Sequence, residues 1–158
     1  FDLAGGCPTN ITEVTIGFGT LLTGGIEEIM FDDGNLLKAR SAYGFLSSEP
    51  NVLRMKLYAT TENLTGETIH IRVVSRLNNP GGNVELRLRD WNLQQYQTID
   101  TYTLGVNEQT ENITLDDAAN YIRAGDGEIE LRIKHVVVAT FSTSGFVASI
   151  DRVRIGVE

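Results

Sequence analysis

The chain has 158 residues, 41% of them hydrophobic and 22% charged, with a formal net charge of −8. This length and composition fit one folded domain with a full core and exclude a disordered chain. The acidity excludes general nucleic-acid binding, which needs a broadly basic surface, and no apolar run is long enough to insert into a membrane.

Residues 1–11 read as an N-terminal arm and 12–158 as a single domain. Gly5, Gly6 and Pro8 disfavour a regular strand in the arm, while Phe1 and Leu3 are apolar side chains that need a cleft. Cys7 is the one cysteine, which excludes an internal disulfide framework. It is either a small buried residue or a thiol facing a neighbouring chain. Leu3 to Cys7 is similar to a lipoprotein cleavage box, but processing there would remove Phe1 to Gly6, so Cys7 reads as unlipidated. No signal peptide stands in the sequence as given, which fits a cytosolic protein or a processed mature one.

Thr12 to Gly17 reads as the first strand, and Thr20 to Phe31 as one or two short strands around Gly24-Gly25. Asp32-Asp33-Gly34-Asn35 is a turn, followed by a strand over Leu36 to Ala42. The next segments alternate more cleanly. Leu53 to Tyr58, Ile69 to Val73, Val84 to Arg89 and Glu128 to Lys134 each place apolar residues at every second position, the period of a half-buried strand. Asn78 to Gly82 is a strong turn. Tyr96 to Thr103 and Glu111 to Leu115 are weaker strands, and Asp116 to Ile122 is a helical turn. Val136 to Val138 extends a strand past a bulge, and Phe146 to Val157 closes the domain.

Nine to eleven strands with almost no helix predict an all-β fold, an antiparallel two-sheet β-sandwich of jelly-roll type. The expected core includes Leu53, Met55, Leu57, Ile69, Ile71, Val84, Leu86, Leu88, Ile129, Leu131, Ile133, Val153 and Ile155. Twelve of the thirteen Lys and Arg residues fall on these strands, while most acids fall between them. The sheets therefore present basic outer faces inside acidic rims, a pattern able to bind anions or further copies of the chain.

Pro8-Thr9, Gly19-Thr20, Gly24-Gly25, Ile29, Asp32-Asp33-Gly34, Arg40-Ser41, Trp91-Asn92, Tyr121-Ile122 and Ile150-Asp151-Arg152-Val153 together resemble a β-sandwich module of bacterial secreted multidomain proteins. The ending is similar to the last strand of galactose-binding-like jelly rolls, which include many carbohydrate-binding modules. The resemblance implies a location outside the cytoplasm. It also implies a structural Ca²⁺ near Asp151, with Glu27, Glu28, Asp32 and Asp33 as co-ligands. Asp151 shares the phase of Val153, Ile155 and Val157 and is expected to be mostly buried. Backbone donors or Ca²⁺ would then satisfy it, unless a bulge turns it outward.

No catalytic constellation is present. His70 falls in an outward phase and His135 near an inward one, and neither is tied by spacing to a nucleophile or a carboxylate pair. For a glycan, Trp91 and Tyr96 are the candidate stacking rings and Arg87 and Arg89 the adjacent polar contacts. Asn10, Asn63 and Asn112 head Asn-x-Thr sequons and are candidate glycosylation sites. The expectation is a non-catalytic extracellular structural subunit of a surface assembly or filament, its arm docking through Phe1, Leu3 and Cys7 on a neighbouring copy. The alternative is a carbohydrate-binding or adhesion module.

Overall fold

A computed structural model describes residues 7–31, 33–43, 51–79, 81–137 and 145–158. Twelve strands occur among them. The first six are β1 (Cys7–Pro8), β2 (Asn10–Phe18), β3 (Thr20–Thr23), β4 (Leu37–Arg40), β5 (Ala42–Tyr43) and β6 (Asn51–Thr60). They are followed by β7 (Thr68–Leu77), β8 (Gly82–Asp90), β9 (Gln95–Leu104), β10 (Gln109–Asp116), β11 (Glu128–Val137) and β12 (Val147–Val157). One sheet has the order β10-β7-β12-β4-β3, with β1 also on β12; the other has the order β2-β6-β11-β8-β9, with β5 also on β6. Every pairing is antiparallel. The architecture is the two-sheet, jelly-roll-like sandwich that the alternation predicts.

The core forms because each central strand turns every second side chain toward the facing sheet. All thirteen expected core residues are at most 2% exposed. Each apolar side chain of this kind stabilises the fold by about 1.5–3 kcal/mol on burial. Ile29, Leu37, Leu77, Leu104 and Phe146 extend the same cluster.

Two local readings need correction, and one is made more specific. Of the one or two short strands expected within Thr20 to Phe31, one forms: β3 stops at Thr23, and the unexpected α1 (Ile26–Met30) follows. Gly24-Gly25 ends the strand, and the Glu28 carboxylate accepts the Gly25 N–H at 2.6 Å, so the turn closes on itself while Ile29 enters the core. The expected helical turn after Asp116 is a single 3-10 turn at Ala118–Asn120. The expected bulge near Val136 is absent, because β11 pairs in continuous register with β6 through Val137.

The arm boundary also moves. Asn10 and Ile11 belong to β2, and Ile11 is buried. Cys7 and Pro8 pair with Val157 and Gly156 of β12 in the same chain. Thr9 secures this pairing by donating both its N–H and its hydroxyl to the Ile155 carbonyl, at 3.1 and 2.9 Å. Phe1 and Leu3 lie outside the described residues.

Candidate functional site

The β2-β6-β11-β8-β9 sheet points Arg54 and Lys56 of β6, Arg87 and Arg89 of β8, and Arg132 and Lys134 of β11 away from the core. Register then decides which of them meet. Arg132 lies opposite both Lys56 and Arg87, and Lys134 lies opposite both Arg54 and Glu85. Arg89 lies opposite Tyr96 of β9, and Glu130 opposite Tyr58. Like charges directly opposite one another on a sheet are destabilising, so this face depends on its interspersed carboxylates and rings.

Those groups form a connected network. Lys56 Nζ stands 2.8 Å from Glu130 Oε1, and the Tyr96 hydroxyl donates to the same oxygen. Burial acts to raise the Glu130 pKa, but the hydrogen bonds from Lys56 and Tyr96 outweigh it and hold the carboxyl below its usual range. The same bond to Glu130 raises the Lys56 ammonium, and burial followed by the Glu130 bond raises the Tyr96 phenol. The Arg132 guanidinium lies 3.6 Å from the Tyr96 ring centroid, with Arg89 at 5.4 Å and Lys56 at 5.6 Å. Alongside, Glu85 accepts from Arg87 at 2.7 Å and from Thr98 at 2.9 Å, which keeps its pKa low against the opposing effect of burial.

Trp91 extends this surface at the turn between β8 and β9. Its indole N–H donates to the Glu128 carbonyl at 3.2 Å. Arg123 lies 4.9 Å and Arg89 5.7 Å from its ring, so Arg89 reaches both Trp91 and Tyr96. Arg123 is fixed in turn by Glu128 at 2.9 Å and by a bidentate contact with Asp126. At the other end of the face, a shallow cleft of about 440 Å³ is lined by Asn83, Glu85, Thr101 and Lys134.

The structure thus brings Arg89, Trp91 and Tyr96 together, and places Arg87 beside them in its pair with Glu85. Sequence reasoning missed Lys56, Arg123, Glu130 and Arg132. The alternating cations of β6 and β11 were the available signal, but only register shows that they surround Tyr96.

Of the expected Ca²⁺ ligands, Glu27, Glu28, Asp33 and Asp151 lie among the described residues. Among the described residues no three His, Cys, Asp or Glu side chains are arranged to hold a metal. Glu27 is exposed, and exposed Asp33 accepts the Asn35 N–H at 2.9 Å within its own turn. Asp32 lies outside the described residues. Asp151 is half-buried, not mostly buried, because the β7–β12 register shifts between Ile150 and Arg152 and leaves it as the extra residue of a bulge. Of the sequons, Asn10 and Asn112 are exposed, Asn63 is half-buried in a loop, and the Asn112 amide oxygen accepts from Arg72 at 3.0 Å.

No family model and no curated protein matches the sequence. Solved structures do match in fold. A family 61 carbohydrate-binding module in complex with β-1,4-galactotriose aligns with a TM-score of 0.51 at 11% identity, over 92% of this chain and 87% of that one. A family 4 carbohydrate-binding module aligns with a TM-score of 0.53 at 18% identity, over 92% and 94%. The chain shares the β-sandwich fold of these two modules. At these identities the likeness establishes the fold. No helix among the described residues is long and apolar enough to cross a membrane.

Proposed function

We propose that this protein is a non-catalytic carbohydrate-binding module of an extracellular protein, and that its ligand lies across the outer face of the β2-β6-β11-β8-β9 sheet. The observation that carries this reading is the Arg89–Trp91–Tyr96–Arg132–Glu130–Lys56 network. It combines ring surface with fixed donors and acceptors, the pairing a sugar requires: rings for its apolar C–H face, and charge-held polar groups for its hydroxyls. The fold likeness supports the same reading. A filament built by arm docking has no comparable support, since the described part of the leader, from Cys7, pairs within its own chain.

The test is calorimetry and affinity electrophoresis against a panel of β-linked glucans, galactans, mannans and xylans. At least one polysaccharide should bind. Trp91→Ala and Arg89→Ala should each weaken that binding roughly tenfold, the loss of about one good contact, with the melting temperature little changed. An inert panel, or unaltered affinity in both variants, overturns the proposal.

A further inference from the structure

The opposite face of the sandwich is more strongly charged than the candidate sugar site. Lys38 and Arg40 of β4, Arg72 and Arg76 of β7, and Arg152 and Arg154 of β12 stand at its outward positions. No Asp or Glu occupies an outward position of those three strands among the described residues. The carboxylates nearby are marginal. Asp116 is at the end of β10, Glu158 is 3.4 Å from His70, Glu28 lines the same shallow cleft as Lys38, and Asp151 is the bulge residue. On the other sheet Glu13, Glu85 and Glu130 interrupt an equal number of cations.

Arg154 lies directly opposite Arg72 in register, and like charges so placed repel. In a chain of net charge −8, six cations gathered on one face make a local field of the opposite sign. Arg76 is four residue steps beyond Arg72, about 13 Å along the strand, and two strand spacings separate β7 from β4, about 10 Å. A single small anion would touch one or two of these groups. An extended polyanion would engage them all.

We infer that this face binds an anionic polysaccharide bearing carboxylate or sulfate groups. The polar residues among and beside the cations suit that ligand. Ser149 lies opposite both Arg76 and Lys38, and Asn112 opposite Arg72. These side chains hydrogen-bond to hydroxyls, while arginine pairs with planar carboxylate or with sulfate. Single-stranded nucleic acid is disfavoured, because no Phe, Tyr or Trp stands at an outward position of β4, β7 or β12 to stack on bases, and the one outward ring, His70, is engaged by Thr114 at 3.0 Å and Glu158 at 3.4 Å. The inference does not rest on the sugar site of the opposite sheet, and its test separates the two.

The test uses the whole chain, with polygalacturonate and a heparin-type sulfated glycan as probes and dextran and duplex DNA as comparisons, measured by calorimetry at low and moderate salt. At least one acidic glycan should bind, more weakly as salt rises, while dextran does not. The two arms report whether carboxylate or sulfate is preferred. Arg72→Ala/Arg154→Ala should weaken binding by roughly tenfold or more, whereas Arg89→Ala on the other sheet should leave it unchanged. Circular dichroism should show both variants folded, and Arg72→Gln/Arg154→Gln repeats the test with longer side chains. Failure of both acidic glycans to bind overturns the inference. So does equal affinity in the double variants, a loss confined to Arg89→Ala, duplex DNA binding as tightly as the glycan, or salt-sensitive self-association without glycan.

Discussion

Gly127→Ala is expected to cost about 3 kcal/mol or more of stability, enough to lower the melting temperature by roughly 10 °C in a domain of this size. Gly127 has φ +71°, and a Cβ built on it would sit inside the contact distance of the Thr61 carbonyl oxygen. Relief by a backbone shift is closed off from both sides. The Gly127 carbonyl accepts the Thr61 N–H at 3.0 Å, at the end of the β6–β11 ladder, and the Gly127 N–H donates to the Arg123 carbonyl at 3.0 Å. Gly125 is the internal control. It also has positive φ, +106°, but nothing lies within 4 Å of its would-be Cβ. Gly125→Ala should cost only the conformational penalty, about 1–2 kcal/mol. Chemical denaturation of both variants checks the argument, and equal costs would defeat it. The substitution also has a functional arm, since Arg123, fixed by the same loop, lies over Trp91. A folded remnant of Gly127→Ala should bind sugar less tightly than Gly125→Ala does.

The sequence made the strands legible where burial is one-sided. In β6, β8 and β11 the alternation of apolar and charged residues states which side faces the core, and all thirteen expected core residues are buried. Twelve of the thirteen Lys and Arg residues do lie on strands; Arg123 is in a loop. What could not be read is what depends on register. Tyr96 and Glu130 are 34 residues apart and become hydrogen-bonded only through strand order and pairing. The difference between the two outer faces has the same origin. Glu85 and Glu130 fall among the cations of one sheet, while on β4, β7 and β12 of the other the one carboxylate is Asp151, the half-buried bulge residue outside the paired register. A single extra residue at Asp151 changed the phase of half a strand, so the alternation that places Val153, Ile155 and Val157 inward says nothing reliable about the bulge itself. The five-residue α1 was hidden because its period is too short to show, although Glu28 three residues after Gly25 was a visible cap signal.

Stability is expected to fall by about 3 kcal/mol as the pH drops from about 6.5 to about 4, and His135 is the cause. The ring is fully buried on the inward side of β11, in register with Leu53 and Val84, and tilted against Phe146 at 6.5 Å. Neither ring nitrogen has a hydrogen-bond partner among the described residues. Burial without a compensating acceptor disfavours the imidazolium and lowers the pKa from 6.5 to about 4. Between those two values the unfolded chain holds the proton and the folded chain does not. Stability therefore rises with pH through this window and is lost as pH falls through it, with no further loss from this group below about 4. The carboxylates held low on the outer sheet face act in the same direction but later. Glu85 and Glu130 lose their stabilising contribution only as the pH falls below the ordinary carboxylate range and through their lowered values. His135→Leu separates the two. It should abolish the loss between about 6.5 and 4, keep the loss at lower pH, and raise stability at neutral pH by about 1–3 kcal/mol by removing two buried nitrogens without partners. Denaturant titrations of wild type and variant at half-unit pH steps give both curves. Parallel curves through the upper window would show that His135 is not the group that titrates.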